Sequence, residues 1–540
     1  MVSIAAASML VACNDLDIQP EGSTITADQK QEVVTLDPSM AMAGVTGLAS
    51  QMTAFGSITG GSASQDHWDI GFPGLYIMMD ERGMDMYSVE TGYNWFVSAM
   101  MMSDGLSTSQ DAYTMWAYNY NLIFIANNVI SSVEPKLEEG SEIPDDNEKF
   151  MFYVGQAYGF RAYAYWYLAQ SFQFTYKGHE NSPCVPIITN ENSEEAAHDG
   201  IARSTVKEVY QQIINDLTHS LELLESTSVT IEDVIDSKPK RFLTPAAVHG
   251  MLARTYLLMN DWSKAAAEAQ AAITKSGATP LTMEQASVPG FSSIEEDNWL
   301  WGIAVMETDR VVTTGICNFP SHMGSFCYGY ATAVGAWKWI NQKLYAKIPS
   351  SDVRKGWWLN SRGTSSNLTA QQQQYVSQRG ADAGVQVKFA PYQGILNQDV
   401  NSCDIPLMRV EEMYYILAEA QGMQDLSTGI ETLNDFVKTY RDPSYECLAS
   451  SQEDFQDQVW LQRRIELWGE GMSYYDMMRL GKPLDRVGGG WPSTCEYYIE
   501  PTDPVLIYPI PASEITGNKQ LTDADNVNAG GGRPTPVSAN

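Results

Sequence analysis

Thr244-Pro245-Ala246-Ala247-Val248-His249-Gly250-Met251-Leu252-Ala253-Arg254-Thr255-Tyr256-Leu257-Leu258-Met259-Asn260-Asp261-Trp262 decides the reading of the fold. Thr244 can cap a helix, and Pro245 stands at the first helical position, where its missing N–H costs nothing. Ala246 to Met259 then reads as one helix, Asn260-Asp261 as a turn, and Trp262 to Ser276 as a second helix. Gly277 supplies the left-handed stop. Small residues at Gly250, Ala253, Ala265, Ala269 and Ala272, with Tyr256 between them, let the two helices approach closely.

This is the pattern of a tetratricopeptide-like helical hairpin. Met408 to Gln421 followed by Ile430 to Tyr440 reads as another such pair. Upstream, Thr205-Val206-Lys207-Glu208 is a capping box that opens a helix with an apolar stripe at Val209, Ile213, Leu217, Leu221 and Leu224. Tyr113 to Val133 and Asn147 to Phe174 read as two long helices joined by a loop holding Pro135 and Pro144. Dense aromatics in the second, from Tyr153 to Tyr167, fit a helix surrounded by other helices. Gln452 to Leu480 reads as a further long helix. Between the hairpins, residues 278–400 break the pattern, with only short extended runs such as Trp299 to Val305 and Val385 to Phe389. The expected fold is therefore mainly α: a helical-hairpin scaffold with a large irregular loop-rich ligand face and a few short strands. Residues 31–529 are expected as a single domain, divided into 31–240 and 241–529 with the loop insertion 278–400, and 530–540 as a disordered tail.

Leu10-Val11-Ala12-Cys13 reads as a lipobox, with Cys13 acylated as the mature N-terminus, residues 1–12 a signal peptide and 13–30 a polar tether. Met1 to Ala12 holds no Lys or Arg, whereas a signal peptide has a basic start, so Met1 is expected to be an internal start. No run approaches the roughly 18 to 20 apolar residues that span a bilayer. Lys and Arg total 33 against 66 Asp and Glu, a net charge of −33, and no Lys/Arg cluster in the sequence offers a nucleic-acid surface. With Cys13 lipidated, six cysteines remain; Cys317 and Cys327 could close a loop, and free buried thiols are at least as good a reading.

Catalytic signatures are missing. There is no GxSxG, HExxH, P-loop or dinucleotide fingerprint. Six histidines are scattered without metal-ligand spacing, so no metal and no cofactor is expected. Asp523-Ala524-Asp525-Asn526 is a weak calcium pattern, better read as a solvated loop. Arg463, Glu466 and Glu470 read as an ion-pair network locking a helix, with Arg463 and Glu466 as an i,i+3 pair.

What remains is an excess of loop aromatics. Sugar rings pack a C–H face on flat Trp and Tyr rings, while amides, carboxylates and Arg bond the hydroxyls. One loop region offers Trp68, Tyr76, Asp80, Arg82, Asp85, Tyr87, Tyr93, Asn94 and Trp95; a second offers Phe319, Phe326, Tyr328, Tyr330 and Trp337. The candidate ligand contacts are Trp68, Tyr76, Asp80, Arg82, Tyr93, Asn94, Trp95, Phe326, Tyr328, Tyr330 and Trp337. For any single aromatic, burial in the core is the better reading; as a group on Gly-rich loops they form a plausible platform.

Several pieces together resemble the SusD/RagB-like outer-membrane nutrient-binding lipoproteins of Bacteroidetes. They are Thr244 to Leu258 with Asp261-Trp262, Pro406-Leu407-Met408-Arg409 with Glu412 and Ala418-Glu419-Ala420, Arg463 to Gly471 with Tyr475-Asp476 and Arg479, and Tyr508-Pro509-Ile510-Pro511. These stand in the family's order from about residue 110 to 520. The family's usual Gln-Asn-Pro-Gly ending is replaced near Asp523 to Gly532, and Asn14-Asp15-Leu16-Asp17 is similar to its surface-export stretch. The resemblance implies a helical scaffold, no catalysis, and a lid on a TonB-dependent SusC-like barrel transporter. The ligand it implies is an oligosaccharide or, in the RagB branch, a peptide.

Overall fold

The computed structural model describes residues 39–58, 67–139, 144–229 and 238–537. Cys13, the signal peptide and the tether lie outside the described residues. In chain order the main helices are α1 (Ser39–Gln51), α2 (Phe72–Arg82), α3 (Gln110–Glu139), α4 (Pro144–Ser171), α5 (Val206–Ser226), α6 (Pro245–Leu258), α7 (Trp262–Ser276), α8 (Val410–Gly422), α9 (Leu426–Tyr440), α10 (Gln452–Glu466) and α11 (Ser473–Arg479). The strands are β1 (Met86–Tyr87), β2 (Trp299–Ile303), β3 (Trp339–Ile340), β4 (Ile405–Arg409), β5 (Leu484–Asp485) and β6 (Tyr498–Ile499). Among the described residues they pair as three two-stranded antiparallel sheets, β1 with β3, β2 with β4 and β5 with β6. The fold is mainly α, as expected. No helix among the described residues is long and apolar enough to cross a membrane.

From α3 to α9 each helix packs on the next, so the scaffold is a continuous stack, with α1 laid on α3 and α10 on α8. The local signals do what their chemistry requires. Thr205 Oγ1 accepts from the Glu208 amide at 3.2 Å while the Glu208 carboxylate accepts from the Thr205 amide at 2.7 Å. Thr244 accepts from the Ala247 amide at 3.2 Å, and Gly277 ends α7 at φ 64°. The small residues mark real close approaches. A Cβ on Gly429 would stand 2.3 Å from the Gly422 Cα, so α8 and α9 meet backbone to backbone. The aromatics of α4 are interior: Tyr163, Tyr165, Trp166 and Tyr167 are all buried.

Four expectations are corrected. Pro135 lies inside α3, and only Pro144 begins a helix. A proline removes one backbone bond, and a 30-residue helix with Ile130 and Val133 fully buried absorbs that loss. Gln452 to Leu480 is two helices, not one. Gly469 and Gly471 break it at φ 79° and 72°, because a Cβ at Gly471 would stand 2.6 Å from the Tyr76 ring. Arg463 pairs not with Glu466 but with Asp476 at 2.7 Å. Finally, the tail is pinned as far as residue 537: Gly530 donates to the Pro504 carbonyl, Gly531 to that of Gly105 and Val537 to that of Glu496.

The extended run at Trp299 does form a strand, but buried on both faces, with Trp299 opposite Arg409 and Ile303 opposite Ile405. Val385 to Phe389 makes only isolated bridges. The charged helix end is a buried ion lattice. Glu466 receives Arg441 at 2.8 Å and both Arg409 and Arg354 at 3.1 Å, and Glu470 receives Lys388 at 2.6 Å. Burial opposes the Glu466 charge, yet these three arginines hold its carboxyl well below the usual range. The six cysteines from Cys184 onward are free buried thiols. The Asp525 carboxylate caps the Thr522 amide, and Asn526 spans the Ile510 backbone, so both side chains are occupied structurally.

Candidate functional site

The two aromatic loop regions meet because β1 and β3 pair, with Met86 opposite Ile340 and Tyr87 opposite Trp339. That register fixes the chain leaving β1, which carries Tyr93 and Trp95, beside the chain entering β3, which carries Tyr330. The rings then form two columns. In the first, Tyr93 is stacked on Tyr330 at 6.3 Å and 24°, and Tyr330 on His322 at 4.6 Å and 22°. In the second, Trp95 is stacked on His67 at 4.2 Å and 18°. The columns are tied where the Tyr330 hydroxyl meets His67 Nδ1 at 2.9 Å, and the Cys317 thiol approaches the same nitrogen at 3.0 Å.

Each ring is held by its own local structure. His322 sits on the short helix Phe319–Met323, whose cap Asn318 accepts from the Ser321 amide at 3.0 Å. Burial, with Lys338 and His67 beside it, holds the His322 imidazole well below its usual range, so this ring is neutral. It also meets the Phe96 ring edge-on at 5.1 Å. Burial pushes the Tyr330 hydroxyl up to about 12 and raises the Cys317 thiol. Cys317 therefore stands beside an imidazole as a protonated thiol, which is a packing arrangement and not an activated nucleophile.

The exposed faces are few and aromatic. Tyr93 is 50% and Tyr328 43% exposed, while Trp68 and Trp95 are half-buried. Tyr330 is only 5% exposed and backs Tyr93 from behind. Tyr328 is presented by a loop whose backbone is bonded to Gln398 and Asn401. The indole N–H of Trp68 and both nitrogens of His322 are buried without a hydrogen-bond partner, while the Trp95 indole is within hydrogen-bonding reach of the Tyr330 hydroxyl.

Six candidates lie inside the protein and offer no surface to a ligand. Tyr76 packs against Phe72 at 5.1 Å and against Gly471. Asp80 accepts from the Gly471 amide at 2.9 Å, and burial pushes its carboxyl up to about 8. Arg82 is paired with Asp104, donates to the Val505 carbonyl and lies 4.5 Å from the Tyr508 ring centre. Asn94 donates to Ser88 at 2.6 Å and to Glu81 at 3.2 Å. Phe326 and Trp337 are core residues, 0% and 3% exposed. All six correct the sequence-based expectation: Tyr76, Asp80 and Arg82 lie on α2, which is buried along its whole length, and Asn94, Phe326 and Trp337 are buried in the loops that pack beside it. His67, His322 and Cys317 were not among the candidates, since nothing in their sequence neighbourhood marks them.

Comparison with known proteins bears on this arrangement. Residues 76–257 match a family described as starch-binding and associating with the outer membrane, and residues 332–528 match the SusD family. The chain belongs to the SusD/RagB family. A relative, SusD-like protein P2 of Formosa agariphila, is 26% identical over 396 residues, covering 68% of this chain and 71% of that one. Among solved structures, a SusD-like carbohydrate binding protein from Bacteroides vulgatus superposes with a TM-score of 0.71 at 22% identity, covering 91% of this chain and 98% of that one. A SusD homolog from Bacteroides thetaiotaomicron gives 0.69 at 15% identity, covering 92% and 98%. At these identities the structures share the SusD fold with this chain.

Proposed function

We propose that this SusD-family protein is a non-catalytic glycan-binding lipoprotein of the outer membrane. Anchored through Cys13 and exposed at the cell surface, it captures oligosaccharide and delivers it to a TonB-dependent transporter of the SusC type. The observation that carries the reading is the pair of columns in which exposed Tyr93 is backed by Tyr330 and His322, and half-buried Trp95 by His67. Rings stacked from behind stay flat and fixed, so a sugar face can pack on them without an ordering cost. Tyr328 adds a second exposed ring on the same loop as Tyr330. The names of the relatives, a carbohydrate binding protein and a starch-binding family, point the same way.

The test is a binding panel of soluble polysaccharides and peptides on the purified protein. Retention by at least one neutral glycan, lost in Trp95→Ala, supports the reading. Retention by peptides alone replaces it with a peptide receptor. Release of reducing ends at catalytic protein concentration contradicts the non-catalytic assignment.

A further inference from the structure

A recess forms where the short helix Gln342–Lys347 meets α10 and the chain leaving α11. It is a cavity of about 230 Å³ with Trp460, Met84 and Leu344 among its apolar lining, Lys343, Lys347, Arg464 and Lys482 as its cations and Asp485 as its one acid. No stretch of sequence shows this cluster; the fold assembles it from three separate segments. Its sign runs against the composition, which has twice as many acids as bases.

The four cations are not equally engaged. Arg464 is fixed by both oxygens of Asp85, at 2.9 and 3.0 Å from Nε, and stands 4.7 Å from the Trp460 ring centre. Lys482 is paired with Asp457 at 2.5 Å. Lys343 meets Asp485 at 3.2 Å, but both side chains are well exposed, and such pairs exchange partners readily. Lys347, one turn beyond Lys343 on the same helix, is exposed and has no anionic partner among the described residues. The Trp460 indole N–H is buried without an acceptor.

An apolar lining with adjacent ammonium groups selects a ligand that has both an apolar face and a negative charge. The volume lies below the roughly 300–1,000 Å³ of drug-sized sites, so it suits one ring rather than a chain. A pyranose C–H face would rest on the Trp460 side, and a carboxylate would take Lys347 and Lys343, whose flexible stems place point charges wherever the acid lies. We propose that this recess binds a single carboxylate-bearing sugar unit, a uronate, independently of the ring columns.

Isothermal titration of the full chain with D-galacturonate, D-galactose and sodium sulfate at matched ionic strength tests this. Galacturonate is expected to bind about tenfold or more tightly than either comparison ligand. The double variant Lys343→Gln/Lys347→Gln removes that advantage, Trp460→Phe weakens it, and Trp95→Ala leaves it unchanged. Both lysines are exposed, so the double variant folds as the parent does. Equal affinity for galactose shows that the charge is not read, and equal affinity for sulfate shows that the ring is not read. Either result overturns the proposal, as does an absence of galacturonate binding or an unaffected double variant.

Discussion

The Glu466 lattice and the Tyr330 columns are both built from side chains brought together across long stretches of chain, yet they are opposite in kind. Glu466 takes three arginines within hydrogen-bonding distance, and each of those arginines is buried among further acceptors. The columns are stacked rings, leave the buried His322 nitrogens without partners, and end in an exposed tyrosine. The first arrangement consumes its polar capacity internally and locks α8, α10 and β4 together. The second presents aromatic faces at the surface, on Tyr93 and Tyr328. On the proposed function, stability and recognition fall to different side chains, and substitutions should separate them.

The largest effect is expected at the lattice. Glu466→Gln leaves three buried guanidinium groups short of a counter-charge, and such a loss costs about 3–5 kcal/mol. Urea unfolding should show a loss of unfolding free energy of that size, read as a lowered midpoint at unchanged slope, with ligand binding intact in the remaining folded protein. The same group sets the acid limit. Its folded pKa is depressed, so its stabilisation is present above the unfolded value of about 4.3 and is lost as pH falls through the folded value. The parent should therefore lose stability below about pH 4.3 in acid titration, and the glutamine variant should lose less over that window.

Gly429→Ala comes next. Its Cβ would meet the Gly422 backbone, which cannot swing aside as a side chain can, and overpacking of this kind costs about 1–3 kcal/mol. A fall in melting temperature without loss of ligand affinity is the expected result. Asp80→Asn is opposite in sign and depends on pH. The folded carboxyl titrates at about 8, far above its unfolded value of about 3.9, so its contribution to stability falls from about pH 4 and is gone by about pH 8. The amide oxygen still accepts from Gly471, so the variant should equal the parent at pH 4 and gain on it steadily up to about pH 8, in urea unfolding measured across that range.

Much of the scaffold was legible in the sequence because its signals are local. Thr244 and Pro245 start a helix, Gly277 stops one, and Thr205 with Glu208 closes a box, all within a few residues. The breaks were harder. Gly469-Glu470-Gly471 ends a helix because Tyr76 and Phe389 press on the two glycines, a contact from distant segments. The site was half legible for the same reason. Both aromatic loops were identified, but the side each ring faces follows from the pairing of β1 with β3 across some 250 residues. Arg82 and Asn94 look like ligand-bonding groups in sequence and prove to be internal ties. His67 and His322 carry no sequence signal because their part is to lie flat beneath other rings.

Tyr93→Ala tests the central claim most directly, with melting temperature and glycan affinity measured on the same preparation. Half-exposed Tyr93 contributes little to folding, so stability should stay within about 0.5 kcal/mol of the parent. The loss of one stacked ring should weaken glycan binding by about tenfold, a little over 1 kcal/mol. Unchanged affinity, or an affinity loss that merely tracks a lowered melting temperature, would contradict the division of labour between lattice and columns.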